Sequence, residues 1–253
     1  YKKNTDDMRE APAIEIMELL SGRGATVSDS NPPVRKLPNI RAQAFDLAER
    51  LQTPVFVLTD LDLGMNNWMA DPFPYPESPL DRGKVLDADG VERLKESWGR
   101  YRDLDGDGIP WRTLPGTHET LGAYFTRGTS RNPQAMYSEA GPDYVYNMQR
   151  LQKKFEFAKT LVPQPVLTPA REPARFGAIY YGSTSPAMHE ALESLASQNI
   201  FVNALRVRAF PFLDEINDFV QSHSKVFVIE QNRDSQLKTL LVNDAGINPA
   251  SLI

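Results

Sequence analysis

The residues best suited to binding a small organic acid lie in the stretch 111–117, which has the sequence WRTLPGT. The guanidinium of Arg112 can grip a carboxylate through two parallel hydrogen bonds. The hydroxyl of Thr117, in the same loop, supplies a further donor. The stretch therefore predicts a substrate-binding pair, Arg112 and Thr117. The alternative is that Arg112 is solvated, as most loop arginines are.

The preceding stretch, 103–109, has the sequence DLDGDGI, with aspartates at alternate positions. Aspartates spaced in this way begin the calcium loop of EF-hand proteins. The twelfth position, where that loop needs glutamate, is Leu114, and Pro110 interrupts the pattern. We therefore predict an acidic turn and no metal site, with calcium binding as the alternative.

Two polar stretches follow predicted strands in the last third of the chain. Gly182–Pro186 lies between a strand and a helix, where free backbone N–H groups favour anions. The alternative is that Ser185 caps the helix. The second stretch begins at Glu230, and a buried glutamate at the carboxyl end of a strand is suited to general-base chemistry. The alternative is a satisfied polar group at a domain interface, and we assign no catalytic residue to this chain.

The composition narrows the kind of site that this chain can hold. The 253 residues carry a net charge of −5 and include no cysteine. The chain therefore forms no disulfide and holds no thiolate-ligated iron–sulfur cluster of its own. The net negative charge argues against nucleic-acid binding. The sequence has no apolar run of the ~18–20 residues that cross a bilayer and no signal peptide, so we predict a cytoplasmic protein.

The last third of the chain alternates between strand and helix patterns. Strands are predicted at 176–181, 201–207 and 225–230, and helices at 185–197, 213–223 and 235–243. Strands that alternate with helices at this spacing imply right-handed crossovers and a parallel sheet. The fold class is therefore α/β.

The middle of the chain has one apolar run, Pro54–Leu58, that predicts a parallel strand covered on both faces. Helices are predicted at 42–51 and 143–161, the second with an apolar face formed by Val145, Met148, Leu151, Phe155 and Ala158. The stretch 70–142 is predicted as a long loop with one short helix near 90–98. The proline-rich segment 163–173 predicts an interdomain linker. In the first 41 residues, the patterns predict a helix from Pro12 and a strand at 25–28.

Five motifs resemble the alpha subunits of 2-oxoacid:ferredoxin oxidoreductases and occur in the same order. They are TPVFVLTDLDLGMN at 53–66, DLDGDGIPWRTLPGT at 103–117, AYFTRGT at 123–129, YYGS at 180–183 and VIEQNRD at 228–234. The resemblance covers about 42–253. It implies part of a pyrimidine-type thiamine-diphosphate domain at 42–162, the linker at 163–173, and a transketolase-C-terminal-like domain at 174–253.

The resemblance also implies an activity and its partners. The family oxidatively decarboxylates a 2-oxoacid, such as 2-oxoglutarate or pyruvate, with coenzyme A, and gives acyl-CoA, CO2 and reduced ferredoxin. Thiamine diphosphate is shared with a beta subunit, which also carries Mg and the iron–sulfur cluster. By resemblance, Arg112 and Thr117 hold the substrate's carboxylate and oxo region. The chain is then inactive without its beta subunit.

The first 41 residues resemble a different family. YKKNTDDMREAP and the following IEIMELLSGRGATVS are similar to the UDP-binding domain of nucleotide-sugar dehydrogenases. This resemblance implies that Tyr1 and Lys2 approach a UDP-sugar. We therefore interpret the sequence as a composite, in which 1–41 are foreign to the rest. The alternative functions are a UDP-sugar-binding fragment and a non-catalytic assembly module.

Overall fold

The computed structural model describes residues 40–65, 81–122 and 130–253. In chain order, the helices are α1 (Ile40–Leu51), α2 (Leu61–Met65), α3 (Ala88–Leu94), α4 (Gly141–Ala158), α5 (Thr184–Ser197), α6 (Asp214–Gln221) and α7 (Gln236–Asn243). The strands are β1 (Val166–Thr168), β2 (Phe176–Tyr181), β3 (Val202–Val207) and β4 (Lys225–Ile229). Short 3-10 helices span Lys95–Ser97 and Pro249–Ser251. The helix and strand predicted before residue 40 lie outside the described residues.

The described residues form two compact units. The sheet unit contains 40–44, 56–65 and 162–253, and the loop unit contains 45–55, 81–122 and 130–161. Within the described residues, no helix is both long enough and apolar enough to cross a bilayer.

The sheet unit contains a four-stranded, mainly parallel sheet in the order β1-β3-β2-β4. β2 runs parallel to both of its neighbours, and β1 runs antiparallel to β3. The three strands and three helices predicted beyond residue 175 are confirmed to within three residues at each end. The prediction missed β1, which lies inside the predicted linker, because three residues between prolines show no periodicity.

The central strand, β2, is covered on both faces. On one face, Ile179 belongs to an apolar cluster that includes Ile216 of α6 and Leu241 of α7. On the other face, Tyr180 packs with Met188 of α5. Helices on both sides of a parallel sheet bury its strands from end to end. This explains why β2 has four consecutive buried residues.

The strand predicted at Pro54–Leu58 is wrong. These residues have no regular secondary structure, and Phe56 and Leu58 are 84% and 85% exposed. A buried strand needs hydrogen-bonded neighbours for its backbone. Within the described residues, none of the four strands pairs with this segment.

Helix α4 lies where a helix was predicted, but most of its apolar face is not the buried one. Val145, Met148 and Phe155 are exposed, whereas Arg150 and Lys154 are buried. The buried face is therefore mainly polar, with Ala158 as its apolar end. In the loop unit, the apolar packing consists of two small clusters, one of Leu51, Ile109 and Ala158 and the other of Leu86, Val91 and Trp98.

Candidate functional site

The acidic stretch 103–109 forms a turn that is held by hydrogen bonds between its first side chain and its own backbone. The two carboxylate oxygens of Asp103 accept hydrogen bonds from the N–H groups of Gly106, at 2.8 Å, and Gly108, at 3.0 Å. Gly108 has a φ of +80°, and a Cβ at this position would lie 2.4 Å from the carbonyl oxygen of Arg150. Glycine is therefore required where this turn lies against α4.

The ammonium of Lys84 takes the interactions that a calcium ion would need in this turn. Its Nζ lies 2.6 Å from Asp105 Oδ2, 2.7 Å from Asp107 Oδ2 and 3.1 Å from the carbonyl oxygen of Ile109. Burial alone would lower the pKa of Lys84, but its bonds to the two aspartates outweigh burial and raise it. The bond from Lys84 and a second bond, from Trp111, lower the pKa of Asp105. A cationic side chain of the same unit is thus bound between two carboxylates of the acidic turn.

Arg112 follows this turn and is fixed through both its backbone and its side chain. Its backbone pairs with 84–86, where its N–H donates to Lys84 at 3.0 Å and its carbonyl accepts from Leu86 at 2.8 Å. Its Nη2 donates to the carboxylate of Glu49 and, at 2.9 Å, to the carbonyl of Arg82. The Nε of Arg112 is buried and has no hydrogen-bond partner among the described residues. The alternative of a solvated Arg112 is therefore wrong, and the guanidinium is held by Glu49 and by the carbonyl of Arg82.

Thr117 lies in the same loop and closes a tight turn. Its hydroxyl accepts a hydrogen bond from the N–H of Leu114 at 3.1 Å, and its own N–H donates to the carbonyl of Leu114 at 3.1 Å. Gly116, with a φ of +87°, provides the left-handed conformation that the turn requires. No contact between Arg112 and Thr117 appears among the hydrogen bonds of the described residues.

Two residues near this loop were not singled out by the sequence. The hydroxyl of Thr113 is buried and lacks a partner among the described residues. The Nδ1 of His118 accepts hydrogen bonds from the N–H groups of Thr120 and Leu121, at 3.2 and 3.1 Å. The other ring nitrogen, Nε2, must then carry the proton, and it lies 2.7 Å from a carboxylate oxygen of Glu92. An isolated histidine such as His118 gives no spacing signal in the sequence.

The turn at Gly182–Pro186 is not capped in the way that the sequence suggested. Helix α5 begins at Thr184, so Ser185 lies inside the helix, and its buried hydroxyl has no partner among the described residues. Capping by Ser185 is therefore wrong. The hydroxyl of Ser183 instead donates to the carboxylate of Asp60.

Glu230 is a satisfied polar group. Its carboxylate accepts hydrogen bonds from the N–H groups of Leu237, at 2.8 Å, and Lys238, at 3.2 Å, in the first turn of α7. A carboxylate at a helix N-terminus is stabilised by the free N–H groups and by the helix dipole. These contacts account for Glu230 as a satisfied polar group at the start of α7. The alternative UDP-sugar residues, Tyr1 and Lys2, lie outside the described residues.

These features define an α/β protein with a mainly parallel sheet and, in a separate unit, a rigid arginine loop. The chain is 26% identical over 217 residues to "2-oxoacid:ferredoxin oxidoreductase 2, subunit alpha" of Aeropyrum pernix, which covers 83% of this chain and 32% of that subunit. Its fold is similar to that of a 2-oxoglutarate:ferredoxin oxidoreductase from Magnetococcus marinus, solved with 2-oxoglutarate, coenzyme A and succinyl-CoA bound. The TM-score is 0.67 at 23% identity, over 81% of this chain and 34% of that chain.

The chain therefore spans about a third of the length of each of these two relatives. Residues 1–61 match the UDP-glucose/GDP-mannose dehydrogenase family, UDP binding domain. Both resemblances predicted from the sequence are thus confirmed. The second match extends beyond residue 41, where the sequence motifs placed its end.

Proposed function

We propose that this chain is part of the alpha subunit of a 2-oxoacid:ferredoxin oxidoreductase. In the assembled enzyme, a 2-oxoacid such as 2-oxoglutarate or pyruvate is oxidatively decarboxylated with coenzyme A, giving acyl-CoA, CO2 and reduced ferredoxin. The main support for this proposal is that Glu49 and the carbonyl of Arg82 hold the guanidinium of Arg112 in place, together with the similarity to an alpha subunit of this kind. In this proposal, Arg112 binds the carboxylate next to the oxo group.

The fixed geometry of Arg112 suits this role. A guanidinium that is already held by Glu49 and by the carbonyl of Arg82 loses little side-chain entropy when a substrate binds. Its Nη1 makes no hydrogen bond to a described residue, and it is therefore the donor that we assign to the substrate. Thr117, which already accepts a bond from Leu114, retains its hydroxyl hydrogen and is the second group that we assign to the substrate.

We assign 42–162 to part of a pyrimidine-type thiamine-diphosphate domain and 174–253 to a transketolase-C-terminal-like domain, joined by 163–173. Thiamine diphosphate would be shared with the beta subunit, which would carry Mg and the iron–sulfur cluster. The described residues do not fit thiamine diphosphate by themselves. Its aminopyrimidine ring needs a buried carboxyl group in this family, and the buried charged residues described here are all cations: Arg150, Lys154 and Arg206. No step of the reaction is therefore assigned to the cofactor.

Exposed apolar side chains support an assembly with partner subunits. In the sheet unit, Phe56, Leu58, Leu61 and Met65 are each at least 75% exposed. In the loop unit, Tyr144, Val145, Met148 and Phe155 lie exposed along α4. Clusters of exposed apolar side chains are typical of surfaces that bind other proteins.

The test is to purify the protein with whatever accompanies it and to measure coenzyme A-dependent reduction of a viologen dye. We expect activity with 2-oxoglutarate or pyruvate, together with a cysteine-rich partner. Arg112→Gln should raise the KM for the oxoacid by roughly 10- to 100-fold, because a charged hydrogen bond to substrate contributes about 1.5–3 kcal/mol. Arg50→Gln, an exposed neighbour paired with Asp81, is the matched control. Unchanged kinetics in Arg112→Gln would favour a non-catalytic assembly module.

A second candidate is a UDP-sugar-binding fragment of a nucleotide-sugar dehydrogenase, because residues 1–61 match that binding domain. It predicts binding of UDP-glucose in calorimetry and a loss of that binding in Lys2→Ala. Absence of UDP-glucose binding would end this candidate. Dehydrogenase activity is not proposed, because that family's catalytic cysteine is missing from a chain without cysteine.

A further inference from the structure

Two guanidinium groups meet at one carboxylate in the loop unit. The Nη2 of Arg112 and the Nε of Arg82 both contact Oε2 of Glu49, the second at 3.1 Å. One carboxylate balances only one of two guanidinium charges, so this group of three side chains carries a net charge of +1. The surplus positive charge favours an additional anion at the same place.

The spacing of the two arginines is set by the backbone. Gly83 has a φ of +64°, and a Cβ at this position would lie 2.8 Å from Cα of Arg50. The segment that carries Arg82 therefore lies directly on the last turn of α1, beside Glu49. The backbone carbonyl of Arg82 accepts a hydrogen bond from Nη2 of Arg112 at 2.9 Å. The two residues are therefore in direct contact, in addition to sharing the carboxylate of Glu49.

The two arginines keep different donors for a ligand. Arg112 has a side chain that is 17% exposed, and its Nη1 makes no hydrogen bond to a described residue. Arg82 has a side chain that is 52% exposed, and neither of its Nη atoms is bonded to a described residue. Arg112 therefore has one nitrogen, the partly buried Nη1, for a ligand. Arg82 has its two more exposed Nη nitrogens, a pair that suits a second carboxylate.

We propose that Arg82 selects a dicarboxylic 2-oxoacid, an inference that rests on the proposed function of Arg112. Arg112 takes the carboxylate next to the oxo group, and Arg82 takes the distal one. Because both arginines contact the same oxygen, one at 3.1 Å and the other at a shorter distance, their contacting nitrogens lie at most about 6 Å apart. The two carboxyl carbons of an extended five-carbon diacid are separated by about 5 Å, given C–C bonds of ~1.5 Å. Pyruvate has no distal carboxylate and does not engage Arg82.

The test compares two substrates in the assembled enzyme. Arg82→Gln should raise the KM for 2-oxoglutarate by roughly 10- to 100-fold, the size expected for a lost charged hydrogen bond, and leave the KM for pyruvate within about twofold. Arg82→Lys, which keeps the charge, should recover part of the loss. Arg50→Gln is the matched control and should change neither value. Arg112→Gln should raise both KM values, which separates the general carboxylate site from the selective one.

Each outcome decides between the two proposals. If Arg112→Gln impairs both substrates while Arg82→Gln impairs neither or both equally, Arg82 is not the selector and the proposed function stands. If Arg112→Gln changes nothing, both proposals fail. Calorimetry with glutarate and with butyrate gives a readout that does not depend on turnover. Glutarate should bind more tightly than butyrate, and Arg82→Gln should abolish that preference; equal binding by the unaltered protein overturns the inference.

Discussion

In the sheet unit, twelve buried apolar side chains form a single cluster against one face of β2, whereas each apolar cluster of the loop unit has three buried members. The loop unit is held instead by polar contacts between residues that are distant in sequence. Lys84 forms ion pairs with two aspartates, and Arg150 donates to the carbonyl of Gly108 at 3.0 Å. One chain thus combines a unit that is held mainly by buried apolar side chains with a unit that is held mainly by ion pairs and hydrogen bonds.

The buried cations of α4 show that burying charge in the loop unit also has a cost. Burial lowers the pKa of Arg150 below its usual value. Burial, together with the charges of Arg150 and Arg100, lowers the pKa of Lys154 to about 8. The ammonium of Lys154 donates to the hydroxyl of Thr53, a neutral partner. A buried charge of this kind costs stability, which an apolar residue in the same place would not.

Two glycines of the acidic turn, Gly106 and Gly108, should respond very differently to substitution by alanine. The loss of stability at Gly108 is the largest that we expect. Gly108→Ala should destabilise the loop unit by at least about 4 kcal/mol, because the new Cβ would lie 2.4 Å from the backbone nitrogen of Lys154. Gly106→Ala is the matched control: its φ of +82° is also left-handed, but nothing lies within 4 Å of its Cβ. It should cost about 1–2 kcal/mol. Denaturant unfolding followed by the fluorescence of Trp98 and Trp111 measures both, and equal losses would mean that contact with α4 does not matter.

A smaller effect is expected in the apolar core of the sheet unit. Leu241→Ala should cost about 2–5 kcal/mol, because Leu241 is fully buried against β2 and its truncation leaves a cavity. Leu240→Ala, one residue earlier and 42% exposed, should stay within about 0.5 kcal/mol of the unaltered protein. Denaturant unfolding followed by circular dichroism compares them. A similar loss in both variants would contradict the view that burial, and not helix formation, stabilises this unit.

An effect of the opposite sign is expected at Lys154. Lys154→Met should stabilise the loop unit at pH 7 by about 3 kcal/mol, which corresponds to a fall in pKa from 10.5 to about 8. Between these values the unfolded chain keeps the proton that the folded chain has lost, so the free energy of unfolding rises with pH. The advantage of the variant should therefore shrink between pH 8 and 10.5. Unfolding in urea at a series of pH values tests this, and an advantage that does not change with pH would mean that the charge of Lys154 is not the cause.

Sequence periodicity predicted the sheet unit well, because its strands and helices are specified by local apolar patterns. The same reasoning predicted α4 but reversed its faces. A period of 3.6 residues shows which side chains share a face, and it does not show that Arg150 and Lys154 would be the buried ones. The apolar run at Pro54–Leu58 was misassigned for a related reason, since a strand depends on neighbours that a local pattern does not contain.

The candidate site was predictable only in part. Arg112 was recognised from its chemistry and from the motif around it. Its partners were not, because Glu49 lies 63 residues earlier and Arg82 lies 30 residues earlier in the chain. Glu49 is one of several charged residues on α1, and no local spacing distinguishes it. Contacts of this range depend on how the chain folds back, here at Gly83, and only the structure shows them.

The edge strand β1 has a consequence for aggregation. It contains only three residues, and Pro165 and Pro169 flank it directly. A second chain that tried to extend the sheet at this edge would find few free N–H groups, since proline has none. At the opposite edge, Ile253 pairs with β4. The N–H of Ile253 donates to the carbonyl of Val226 at 2.9 Å, and the carbonyl of Ile253 accepts from the N–H of Val228 at 3.0 Å. Addition of a further strand is therefore disfavoured at both edges of the sheet.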